Sequence, residues 1–133
     1  MLINLRLLTA RQEGKRTMKK TLMLKKNYEF RNVLNRGKYY SGRYIEIFVK
    51  KNNKNNNFLG IAVSVKIGKA VKRNHLKRLI RESYYVFEEN IKVGNSIVIL
   101  CKKKTNVEEL NFQKVKDDLE FIFKKANIFE EKS

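Results

Sequence analysis

Two short apolar runs constrain this chain more than anything else in it. Phe58 to Val65 and Ser96 to Cys101 are hydrophobic on both faces, the pattern of strands buried within a sheet or held in parallel pairing. Between them, Lys72 to Glu89 carries Leu76, Leu79, Ile80, Ser83, Val86 and Phe87, the spacing of a helix face laid on a sheet. The longer run is eight residues and contains Gly60 and Ser64, far short of the roughly 20 apolar residues that span a bilayer.

The remaining segments complete the pattern. Asn27 to Arg36 reads as a short helix, with Asn27 as its cap, Phe30, Val33 and Leu34 on one stripe, and Gly37 placed to end it. Arg43 to Lys50 alternates as a strand. Ile45, Ile47 and Val49 form a core face, and Tyr44, Glu46 and Phe48 form a face that mixes two aromatics with a charge. Lys51 to Asn57 is an Asn/Lys loop long enough to join two antiparallel strands, and Lys38 to Tyr40 leaves room for an extra one. A last helix runs through Phe112, Val115, Leu119, Ile122, Phe123 and Ala126. Asn111 is favoured as its cap over Thr105, for which Glu108 would complete a capping box. The order is that of an α+β sandwich, helices laid on a small sheet. One domain is expected over residues 18–133. Residues 1–17 read differently, as a flexible basic extension of the kind that a start assigned too early would add.

At 133 residues and 42% hydrophobic, such a domain buries roughly two-thirds of its unfolded surface and needs no staple. Cys101 is the single cysteine and His75 the single histidine. The first excludes an internal disulfide or a cysteine zinc site and fits a reducing, cytoplasmic compartment. The second leaves no histidine pair for a metal. Cys101 ends an apolar strand and reads as core packing, Tyr84 and Tyr85 read as packing at the helix end, and Lys102 to Lys104 as a solvated turn.

The charge is the other strong signal. Lys and Arg number 31 against 13 acids, a net +18, so the expected partner is a polyanion and not a membrane. Residues 94–133 are nearly balanced at +1. By contrast Lys66, Lys69, Lys72, Arg73, Lys77, Arg78 and Arg81 fall within sixteen residues that hold no acid. On a helical wheel Arg73, Asn74, Lys77, Arg78 and Arg81 occupy an arc of about 140° separate from the apolar stripe. A solvated face normally mixes signs. Phosphates supply the missing negative charge, and guanidinium forks match their oxygens in pairs. The Lys66 to Lys72 loop, with Gly68, can bring further N–H groups and lysines to the same anion.

The run Lys66-Ile67-Gly68-Lys69-Ala70-Val71-Lys72-Arg73-Asn74-His75-Leu76-Lys77-Arg78-Leu79-Ile80-Arg81-Glu82 resembles the signature of the bacterial ribonuclease P protein component. The resemblance extends upstream through Leu24-Lys25-Lys26-Asn27-Tyr28-Glu29-Phe30 and Gly37, and downstream to about Ile128. It implies an αβββαβα order with a left-handed βαβ crossover, as in a ribosomal-protein domain, against the right-handed default. It also implies a role as the protein subunit of a ribonucleoprotein that removes 5′ leaders from precursor tRNA. The catalytic RNA is implied to perform the hydrolysis with Mg²⁺, with no catalytic residue, metal or cofactor held by the protein. Lys66, Lys69, Arg73, Asn74, Lys77, Arg78 and Arg81 are implied to meet that RNA. Lys26, Asn27, Phe30, Leu34 and Phe48 carry over as a cleft for the leader. His75 stands where the family usually has Arg, and Leu34 where it often has an aromatic; Phe30 and Phe48 remain as stacking surfaces.

Two other readings share the charge. A ribosomal or other nucleic-acid-binding protein without a catalytic partner would also be basic, but no tight helix-turn-helix is visible. An independent nuclease would need a carboxylate or histidine cluster, which the basic half lacks. His75 alone has no nucleophile or orienting carboxylate at a diagnostic spacing.

Overall fold

The computed structural model describes residues 20–131; the extension expected over 1–17 lies outside them. Five strands form one sheet: β1 (Thr21–Met23), β2 (Lys38–Ser41), β3 (Ile45–Lys51), β4 (Asn57–Ala62) and β5 (Asn95–Cys101). Three helices accompany them: α1 (Asn27–Arg36), α2 (Ala70–Phe87) and α3 (Phe112–Ala126). The sheet order is β1-β4-β5-β3-β2. β5 runs parallel to β4 and antiparallel to β3, so β4, α2 and β5 form the βαβ crossover. The Asn/Lys loop therefore does not close a hairpin between neighbours. It passes the end of β5, where Asn52 N–H donates to Gly94 O at 2.8 Å.

β3 alternates as its sequence dictates. Ile45, Ile47 and Val49 are buried in one cluster with Leu59 of β4, Ile97 and Ile99 of β5, Leu76, Ile80 and Tyr84 of α2, and Leu119, Ile122 and Phe123 of α3. α2 and α3 thus cover one face of the sheet. α1 crosses part of the other: an added Cβ at Gly60, whose neighbours Leu59 and Ile61 face the cluster, would meet the Phe30 ring at 2.6 Å. Only glycine lets that ring lie on the strand.

Local details differ from the sequence reading in four places. β1 was not expected; it is a three-residue strand pairing in parallel with β4. The α1 cap is Lys26, not Asn27, with the Lys26 N–H donating to Glu29 Oε1 at 3.0 Å. β4 ends at Ala62 because Val65 begins a short 3-10 turn and is exposed. On α2, Val86 is exposed and Tyr84 takes the buried place. The Tyr84 hydroxyl lies 2.9 Å from Thr21 Oγ1, which donates to Glu88 Oε2 at 2.8 Å, so the phenol's polar end is satisfied within the core. Burial, foremost, pushes its pKa up. Asn111 caps α3 as expected, its Oδ1 accepting Lys114 N–H at 2.9 Å.

A carboxylate the sequence did not single out fixes the turn between β2 and β3. Asp118, buried on α3, accepts the N–H groups of Arg43, Tyr44 and Ile45 at 2.7, 2.9 and 2.9 Å.

Candidate nucleic-acid interface

α2 follows β4 through a 3-10 turn, Val65–Ile67, capped by the Ser64 hydroxyl, which accepts Lys66 N–H at 3.2 Å. Gly68 then adopts φ +154°, ψ −164°, a conformation essentially reserved for glycine. This aims its carbonyl at the helix, where Arg73 Nη1 donates to it at 2.8 Å. Arg73 is thus a clamp between loop and helix as well as a cation. Lys72 is drawn off the anion-binding set by an exposed ion pair to Glu108 at 2.7 Å, which holds the Glu108 carboxyl below its ordinary value through that hydrogen bond.

The other cations are uncommitted. Lys66, Lys69, Lys77, Arg78 and Arg81 make no side-chain hydrogen bond or ion pair among the described residues, and Asn74 is exposed with its amide equally open. Their arc lies on the helix shoulder rather than directly opposite the core. Arg73, Lys77 and Arg81 are half-buried, while Asn74 and Arg78 stand clear. Long stems lying on apolar surface with charged heads in water are the usual compromise for such side chains. His75 is exposed at the helix surface.

The second residue set collects on the opposite side of the sheet. Phe48 and Gly60 both pair with Val98, so they sit about 10 Å apart, two strand spacings, with Phe30 lying on Gly60. Both rings are half-buried. A shallow groove lined by Asn27, Phe30, Arg31 and Ala62 opens beside them. Lys26 and Asn27 are exposed at the α1 start, with Lys26 Nζ 5.7 Å from the Tyr28 ring centre. Leu34 is half-buried one turn further along.

Sequence reasoning missed three residues of this face: Tyr28, Arg31 and Tyr39. Tyr39 pairs in register with Phe48, their rings 5.1 Å apart and tilted by 52°. Its neighbour becomes visible only once β2 is known to pair with β3. Cations beside exposed aromatic faces suit single-stranded RNA, whose unstacked bases need platforms. Among the described residues no three His, Cys, Asp or Glu side chains come together to hold a metal ion, and no helix is long and apolar enough to cross a membrane.

Fold and surface together define a small, strongly basic α+β RNA-binding protein. Comparison with known proteins narrows this. The ribonuclease P family matches residues 18–127. A ribonuclease P protein component from Clostridium botulinum (strain Langeland) is 41% identical over 107 residues, covering 80% of this chain and 95% of that one. The solved ribonuclease P protein of Staphylococcus aureus superposes with a TM-score of 0.70 at 30% identity, over 81% of this chain and 97% of that one. The Thermotoga maritima ribonuclease P protein gives 0.71 at 31% identity, over 78% and 96%. The chain belongs to the ribonuclease P protein family, and its role is that of the protein component of this endoribonuclease. A nucleic-acid-binding protein without a catalytic partner is not favoured.

Proposed function

We propose that the protein works by holding two RNAs at once, one on each side of its sheet. Lys66, Lys69, Arg73, Asn74, Lys77, Arg78 and Arg81 grip the catalytic RNA of ribonuclease P. Lys26, Asn27, Phe30, Leu34 and Phe48 hold the 5′ leader of precursor tRNA. The observation that carries this reading is the placement of the open cations on α2 and the open aromatics on opposite faces of one sheet. Neither RNA then blocks the other.

The chemistry falls to the RNA subunit, which holds Mg²⁺ to activate water and stabilise the leaving oxygen. The protein's own residues neutralise phosphates at the RNA–RNA junction and orient the leader, raising substrate affinity without touching the scissile bond. The single cysteine, Cys101, is a buried free thiol whose pKa is raised foremost by burial, which supports a reducing compartment such as the cytoplasm.

Cleavage of precursor tRNA by protein alone, RNA alone and both together tests this. At low salt and low Mg²⁺ the protein should rescue the RNA's activity and show none itself. Cleavage by the protein alone in Mg²⁺ would overturn the assignment in favour of an independent nuclease.

A further inference from the structure

Glu46 stands where a leader-binding surface has least use for negative charge. It lies on the Phe48 face of β3, two residues away, about 7 Å along the strand. The Tyr39 hydroxyl donates to Glu46 Oε2 at 2.6 Å, and Tyr39 remains 51% exposed beside the Phe48 ring. No ion pair engages Glu46 among the described residues, in a chain of net charge +18. Its Oε1 makes no hydrogen bond among them either. The link to Glu46 is the foremost cause that raises the Tyr39 pKa, so the phenol stays a donor.

A fixed carboxylate repels phosphate but accepts from donors on a base edge. Guanine alone offers two adjacent donors, N1–H and N2–H, to match two carboxylate oxygens. Adenine and cytosine set a ring acceptor beside their amine, and uracil flanks its N3–H with two carbonyls, so each meets the carboxylate with a repulsive neighbour. We propose that Glu46 reads one leader nucleotide, taking the Watson–Crick edge of guanine while the base stacks against Tyr39 and Phe48. The inference rests on the leader-binding reading above and adds a sequence preference to it.

The test uses holoenzyme and precursor tRNAs with all-uridine leaders in which one guanine is moved through each position. At one position guanine should tighten binding on the order of tenfold, the value of one bidentate base contact. Glu46→Gln keeps an acceptor for Tyr39 but sets a donor beside it, a pattern that the donor–acceptor edges of adenine and cytosine match and the paired donors of guanine do not. The preference for guanine at that position should therefore be lost. A merely structural Glu46 would instead weaken all leaders equally. Absence of a guanine-preferring position in the parent, or its persistence in Glu46→Gln, would overturn the proposal. Where leader length matters but sequence does not, Glu46 alone is misassigned; where length has no effect, the leader cleft fails with it.

Discussion

Replacing Asp118 with alanine is expected to lower stability by roughly 3–5 kcal/mol, a large effect for a single polar change. Its carboxylate accepts three successive backbone N–H groups while buried on α3. Truncation removes three charge-assisted hydrogen bonds and leaves donors such as the buried Ile45 N–H without a partner. The turn between β2 and β3 is also packed around this group: a Cβ added at Gly42 would meet the Asp118 carboxylate. Thermal melts should show a fall in midpoint on the order of 10 °C or more. Asp118→Asn, which keeps one acceptor oxygen, should lose about half as much. Equal melts for parent and alanine variant would mean the turn holds itself without α3.

The second large effect concerns assembly. Reversing Lys77 and Arg78 together should weaken RNA-subunit binding far more than reversing Lys114 and Lys124, which lie in the nearly neutral C-terminal quarter. Lys77 and Arg78 are chosen because Arg73 also holds the Gly68 carbonyl, so its loss would mix loop stability with charge. Each phosphate contact removed should lower the steepness of the salt dependence by about one in a plot of log affinity against log salt. The Lys77 and Arg78 pair should therefore flatten it by about two. Titration of fluorescent RNA subunit at several salt concentrations reads both quantities. Equal losses for the two pairs would show that total charge, rather than the α2 surface, drives assembly.

How much of this was legible in the sequence follows from how local each feature is. α1, α2, α3 and β3 are written in periodicity, and the absence of acids from Lys66 to Arg81 marks the α2 surface without any tertiary information. The strand order was not legible. Placing β5 between β3 and β4 joins residues 38 or more positions apart, Phe48 and Val98 among them, and no local pattern records that. β1 is too short to carry a pattern, and its contribution of Thr21 satisfies the Tyr84 hydroxyl, which lets that tyrosine be fully buried. Glu46 was visible as a charge among aromatics, but its tie to Tyr39 depends on the β2–β3 register. Phe30 could be read as core or as platform; its ring lies on Gly60, across the sheet from α2, and stays half-buried there.

On the proposed reading, one face of the sheet holds the leader while α2 holds the catalytic RNA. The most direct test is the affinity of holoenzyme for precursor tRNAs of increasing leader length, with parent protein and with Phe30→Ala. A melt of the variant confirms that it folds. For the parent, affinity should rise once the leader is several nucleotides long, and mature tRNA should bind both holoenzymes alike. Phe30→Ala should lose on the order of 1–3 kcal/mol, the range for one base–aromatic stack, and only with the longer leaders. A folded Phe30→Ala protein whose loss is the same for every leader length, mature tRNA included, would contradict the claim.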